Sequence, residues 1–470
     1  MSTDGVDLII RGGTLVAPDG RLSAALAIDG GVIVAVGEER NLPVGRETID
    51  AHGLYVLPGV IDAHVHFRDP GDTQNEDWET GSAAAACGGV TTVFDMPSTN
   101  PPVDNLENLE LKHDLARASS HIDYGLYGLL GAHNLSELDA LGAADIVGFK
   151  CFMSSSLSGR LPAPDDGIML DGFEKIARMG RRCIVHAENL GVITRREKQL
   201  KEAGRTDGRA HAESRPPVAA AEATSRAIAF AESVGMRLHI AHESCADSLP
   251  YIAAARARGL DLTVETCPQY LLLNDDDVAK QIGVLRCNPP IRARGHDAAL
   301  WKALDDGLID ILTTDHAPHA VDRKTRPNIW DNSCGLLGVE TALPLMLTEV
   351  NHGRLTLERL VALTAANPAK VWDLYPRKGA LRIGSDADIV LVDMDRTASI
   401  DQQKLHSKQK ISGWHGRAVK GLPVRTIVRG RTVMLNGELT GASGWGRPVL
   451  QAGPVRARRS ASDRAQNSAA

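Results

Sequence analysis

Along the first 56 residues, short apolar runs are cut by glycine turns: DLIIRGGTLV at 7–16, AALAIDGGVIVAVG at 24–37 and ETIDAHGLYVL at 47–57. Runs of this length bounded by glycine read as strands. From residue 57 the rhythm changes. Eight β-rich runs follow, VIDAHVH (60–66), VTTVFDMP (90–97), DYGLYGLL (123–130), DIVGFKCFM (145–153), RCIVHAE (182–188), RLHIAHES (237–244), DLTVETCP (261–268) and IDILTTDHAP (309–318). Between them lie stretches such as 219–235 and 247–259, whose apolar residues recur at helical spacing. Eight such repeats predict an α/β chain folded as a (β/α)8 TIM-like barrel, with catalytic groups at the C-terminal ends of the strands. After the helix-like span 355–374, β signals return at 379–393 and 424–439. The expected organisation is a barrel over 57–375, a small β-sandwich domain built from both chain ends (1–56 and 376–450), and a disordered polar tail at 451–470.

Composition narrows the function more than the fold. The chain has 470 residues, 43% of them hydrophobic and 24% charged; aromatics are only 4%, so the core must rest on Leu, Ile, Val and Ala. A net charge of -7 argues against nucleic acid or an anionic membrane as the main partner, and the basic tail reads as a solvated terminus. No run reaches the roughly 18 apolar residues of a spanning helix. The start MSTDGVDLII lacks the basic flank and apolar stretch of a signal peptide. Seven cysteines without a CxxC pair read as reduced, buried thiols, and the expected location is cytoplasmic.

The titratable residues at the strand ends change the picture. His64 and His66 share one face of the first strand, because side chains alternate along it. Alone, such a pair is more often structural than metal-binding. Yet the fifth run ends in His186, the sixth in His242 and the eighth in Asp315, while Lys150 sits among apolar residues in the fourth. Four imidazoles and a carboxylate suit zinc or a close relative. Burial drives lysine toward its neutral form, and a neutral amine can add CO2 to become a carbamate able to bridge two metals. The bland alternative is a lysine that snorkels to a surface carboxylate.

Together the segments GVIDAHVHFRDPG, GFKCFM, HAEN, ESRPP, ETCPQYL, TDHAPH and GSDADIVLVD resemble the metal-dependent cyclic amidohydrolases of the amidohydrolase superfamily: dihydroorotases, allantoinases, and hydantoinases or dihydropyrimidinases. The resemblance implies two divalent ions, with zinc the expected metal. His64 and His66 bind the more buried ion, His186 and His242 the second, the CO2-derived carbamate on Lys150 bridges them, and Asp315 binds the first. It also implies a bridging hydroxide that attacks the ring amide carbon, with Asp315 passing the proton to the departing nitrogen.

The motifs divide over the substrate. Arg68 in HFRDPG, Asn288 in CNPPIR and His319 in DHAPH resemble dihydroorotase, where the arginine holds a carboxylate. Ser98 in MPSTNP stands where that subgroup has asparagine, and Arg68 could instead pair with Asp69 or Asp77. GFKCF, HAESRPP, ETCPQYL and IWDNSCGLLGVETALPLML resemble allantoinases and hydantoinases. The loop CFMSSSLSG lacks the tyrosine of D-selective hydantoinases and is nearer to L-selective hydantoinases or allantoinase. The expectation is therefore a hydantoinase- or allantoinase-like hydrolase of a small cyclic amide, assembled as a homodimer or homotetramer, with dihydroorotase as the alternative. A one-metal deaminase has no use for Lys150, and a non-catalytic scaffold relative would have lost ligands that are all filled here.

Overall fold

The computed structural model describes residues 5–154 and 161–449. The serine-rich residues 155–160 and the expected disordered tail at 451–470 lie outside the described residues.

Eight parallel strands form a sheet in sequence order: Val60–Val65, Val90–Asp95, Asp123–Leu130, Gly148–Phe152, Arg182–His186, Arg237–Ile240, Leu262–Thr266 and Ile311–Leu312. Nearly every residue in them is buried, as continuous apolar runs require when both faces are covered. The eighth strand is short, and closure relies on other bonds. Val65 bridges His316 in parallel, and the Asp62 carboxylate accepts from Thr314 N at 3.1 Å and Thr314 Oγ1 at 2.5 Å. Burial outweighs these bonds and pushes the Asp62 carboxyl up to about 7.

Three of the scarce aromatics meet at one end of the barrel. Trp372, from the segment that follows the barrel, packs against Tyr127 at 5.1 Å, His239 at 5.6 Å and Phe94 at 6.1 Å between ring centroids. A Cβ at Gly148, the first residue of the fourth strand, would meet this indole at 2.8 Å, so glycine is required there. Trp372 thus plugs the end where the strands begin and leaves the opposite end for chemistry. The helix-like span before it is a helix Leu357–Val361, a π-helical turn Ala362–Ala366 and a helix Asn367–Val371.

Both chain ends meet beside the barrel, as the sequence led us to expect. A four-stranded sheet runs Val32–Gly37, Ala25–Asp29, Val6–Arg11, Gly45–Asp50. A seven-stranded sheet runs Glu438–Leu439, Arg431–Leu435, Ala418–Val428, Ile389–Ser399, Tyr55–Pro58, Thr14–Ala17, Gly20–Ser23. Leu57 pairs with Val390, which joins the two ends directly. Leu8, Ile28 and Ile33 of the first sheet share a core with Val56, Ile389 and Ile427 of the second. Buried Lys378 ties this region to the barrel: its ammonium meets Asp123 of the third barrel strand at 2.5 Å, Asp388 at 2.5 Å and Asp386 at 3.0 Å.

All seven cysteines are free, and six are buried. No helix among the described residues is long and apolar enough to cross a membrane.

Candidate metal centre

The open end of the barrel gathers all six residues singled out as ligands. His64 lies in the first strand and His66 one residue past its end; their Nε2 atoms stand 3.4 and 3.3 Å from the same oxygen of Asp315. His186 closes the fifth strand, and its Nδ1 is 3.0 Å from Nε2 of His242. The His242 and His64 ring centroids are 5.0 Å apart, which joins the two groups. Asp315 and His242 have left-handed backbones, with φ of 50° and 34°. Such conformations cost an L-residue energy and persist where the surroundings enforce them.

Lys150 is fully buried in the fourth strand, and its Nζ has no hydrogen-bond partner among the described residues. The Phe152 ring lies beside it, with Nζ 4.9 Å from the centroid. Burial lowers the amine to about 8 against the pull of Glu265 and Asp315, so a neutral fraction exists near neutrality. Burial likewise holds His66 and His242 well below the usual histidine range and lowers His186, keeping these imidazoles neutral.

Two carboxylates hold the histidines from behind, and the sequence reading assigned neither a role. Glu265 of the seventh strand accepts from His64 Nδ1, from His239 Nε2 at 3.2 Å and from the His242 backbone N–H at 3.0 Å. Burial opposes its charge, but His64 and His239 outweigh burial and hold it well below the usual carboxylate range. Glu188 accepts from His186 Nε2 at 2.9 Å and from Arg215. There too burial is overcome, by Arg215 and His186, and the carboxyl falls to about 2. With the Nδ1 proton of His64 committed to Glu265, its Nε2 lone pair faces a carboxylate oxygen. With the Nε2 proton of His186 committed to Glu188, its Nδ1 lone pair faces His242. An imidazole lone pair aimed at a carboxylate oxygen, with two facing imidazoles and an orphaned amine beside it, fits divalent cations held between them. The signal for the two glutamates was present in ETCPQYL and HAEN, because a ligating histidine requires an acceptor on its second nitrogen.

A cavity of about 640 Å³ opens above this centre. Its wall includes His64, His66, His186, His242 and Asp315, together with Arg68, Asn288 and His319. Arg68 donates to the Pro318 carbonyl at 3.3 Å, and its Nη2 is 3.2 Å from His319 Nε2. Asp77, one suggested partner for Arg68, receives Lys408 and caps the helix Trp78–Cys87 through Thr80 N at 2.8 Å. Asn288 Oδ1 is buried without a partner among the described residues. Ser98 is placed differently from these three: its Oγ lies 3.0 Å from His66 Nδ1, behind the imidazole.

Comparison with known proteins shows the family. The Amidohydrolase family model matches residues 55–433. An L-hydantoinase of Paenarthrobacter aurescens is 38% identical over 451 residues, covering 95% of this chain and 98% of the relative. An allantoinase of Rubrobacter xylanophilus is 40% identical over 435 residues, covering 92% and 95%. The solved L-hydantoinase (dihydropyrimidinase) from Arthrobacter aurescens superposes with a TM-score of 0.93 at 37% identity, over 95% of this chain and 100% of that one.

Proposed function

Because the chain belongs to the amidohydrolase family, we propose that it hydrolyses the C–N amide bond of a small cyclic amide, a hydantoin or a related cyclic ureide. The observation that carries this reading is the buried, unpartnered Lys150 amine set among four histidines and Asp315. As the carbamate, formed by adding CO2 and releasing a proton, Lys150 would supply the bridging anion of a two-ion site. His64, His66 and Asp315 would hold one ion, and His186 with His242 the other, zinc being best suited to this donor set. Bound there, the ions supply Lewis acidity and make water ionisable near neutral pH.

The chain's own residues do the rest. Asp315 sits beside His64 and His66, where its carboxylate takes a proton from the attacking water and returns it to the departing ring nitrogen. Glu265 and Glu188 fix which nitrogen of His64 and His186 is free to ligate. Ser98 steadies His66, while Asn288, Arg68 and His319 stand on the cavity wall where a ring's carbonyl and N–H groups would lie. The guanidinium of Arg68 on that wall also favours a second reading, a ring bearing a carboxylate as in dihydroorotate. The proposal includes a homodimer or homotetramer in the cytoplasm, a location supported by seven unpaired thiols.

The test is turnover of allantoin, dihydrouracil, 5-substituted hydantoins and dihydroorotate by enzyme loaded with zinc, manganese or cobalt. Opening of a hydantoin or of allantoin is the expected result. Activity on dihydroorotate alone would move the assignment to the second reading, and activity on none with full metal content would remove it.

A further inference from the structure

Outside the catalytic cavity, three side chains of different chemistry converge on one point. Cys245 and Asp247 lie in the turn after the sixth barrel strand, and His296 opens the helix His296–Asp305. One ligand atom from each lies within 4.8 Å of the other two. Cys245 Sγ is 3.6 Å from Asp247 Oδ2, and His296 Nδ1 is 4.0 Å from the same oxygen. We propose that Cys245, Asp247 and His296 form a separate site for one borderline-soft divalent ion of the zinc, cobalt or cadmium class.

The distances fit such an ion. Tetrahedral zinc with bonds of about 2.3 Å to sulfur and about 2.0 Å to oxygen and nitrogen sets its ligand atoms about 3.3–3.6 Å apart. The sulfur–oxygen edge already has that length, while the nitrogen–oxygen edge at 4.0 Å and the sulfur–nitrogen edge, within 4.8 Å, shorten as the half-buried imidazole moves onto the ion. The donor set of thiolate, imidazole and carboxylate selects against magnesium and calcium, which take oxygen. Access is available too: Cys245 is buried and His296 half-buried, but Asp247 is exposed, so an ion enters along the carboxylate and keeps a fourth position for water. The remaining acidic cluster, Asp123, Asp386 and Asp388, already holds the Lys378 ammonium, whereas the ion-pair partner of Asp247 is His296 itself.

Ligation exchanges known bonds. The Cys245 thiol, which contacts the Pro217 carbonyl at 3.7 Å, gives up its proton to solvent as the metal–sulfur bond forms. His296 Nδ1 accepts from Ala246 N–H at 3.1 Å, and ligation through that nitrogen replaces this bond with a metal bond. An ion there staples two segments that both lead to the catalytic centre. Cys245 is three residues past His242, and His296 ends the stretch that carries Asn288 to the cavity wall.

The experiment starts from holoenzyme whose catalytic centre is filled with cobalt(II) and adds further cobalt(II). None of the catalytic donors is sulfur, so near-ultraviolet sulfur-to-cobalt charge-transfer absorption reports on this site. The expected result is that absorption together with one further ion per chain. Cys245→Ser should lose both while turnover stays close to that of the wild type. Asp247→Asn and His296→Gln, which keep the thiol, should weaken the extra ion roughly tenfold or more. Absence of the absorption in the wild type, or equal absorption in Cys245→Ser, would overturn the site. Unchanged cobalt affinity in Asp247→Asn and His296→Gln would do the same even if Cys245→Ser did not fold.

Discussion

Glu265→Gln exchanges a carboxylate for an amide of nearly the same size at the point where His64, His239 and the His242 backbone converge. The glutamine carbonyl can still accept two of these three bonds, but its NH2 then faces an N–H it cannot satisfy. Losing all three charge-assisted bonds would cost about 4–9 kcal/mol and threaten the fold. Keeping two limits the loss to about 1.5–3 kcal/mol. The oxygen that keeps His64 is then neutral rather than charged, and a charged partner of this kind behind a ligating histidine is worth about 10–100-fold in metal affinity, or about 1.4–2.7 kcal/mol. The expected outcome is an ion at His64 that dissociates about 10–100-fold more readily, with the melting temperature only modestly lowered. Competition against a chromophoric chelator measures the affinity, and a thermal melt of the same sample reports the fold. A well-folded Glu265→Gln protein with wild-type metal affinity would refute the argument that this carboxylate tunes the centre.

Asp315→Asn should abolish turnover while metal analysis still finds ions, because the amide matches the carboxylate in size but cannot carry the proton; wild-type turnover would remove Asp315 from the chemistry. Lys150→Ala should lose bound metal and activity and regain part of the activity with added short carboxylates, and failure of every such anion to rescue would count against the carbamate. Arg68→Gln should have a modest effect on kcat/KM for a neutral ring, whereas a ring carboxylate paired with Arg68 would make the loss about 2–5 kcal/mol, roughly 30- to several-thousand-fold. Lys378→Met leaves Asp388 buried without a cation, while Asp123 keeps Arg429 and Asp386 keeps Arg377 at 3.6 Å, and should destabilise the fold by about 3–5 kcal/mol in urea unfolding. A loss below about 1 kcal/mol there would show that water reaches the cluster.

The barrel and the candidate ligands were legible because both are local. Each strand announces itself as a buried run, and each ligand lies in the C-terminal part of a strand or just beyond it, apart from Lys150 at the middle of the fourth, at a position counted along one segment. What escaped depends on segments far apart in the chain. Glu265 reads as an ordinary strand residue until the seventh strand stands beside His64 of the first, and Glu188 gains its role only when Arg215 arrives. Ser98 looked like a wall residue because its motif was compared with a substrate-binding position; the structure sets it behind His66. The eighth run looked as long as the others but forms a strand of two residues, and beyond Leu312 it meets the first strand through the Asp62 carboxylate and a single bridge at His316 rather than a regular ladder. Trp372 gave no sign that it fills the barrel's other end, since an indole in a helix predicts burial and not a location.

The pairing of Leu57 with Val390 sets a timetable for biosynthesis. The strand Tyr55–Pro58 leaves the ribosome early, yet its antiparallel partner lies more than 330 positions downstream. At about 5–20 residues per second, roughly 17–67 s pass before that partner is made. Throughout this interval one edge of an apolar strand lacks its neighbour and is open to foreign strands. The nascent chain therefore has a long window in which a chaperone, or low expression temperature, decides between folding and aggregation. Recombinant yield should respond to both far more than the stability of the finished protein suggests.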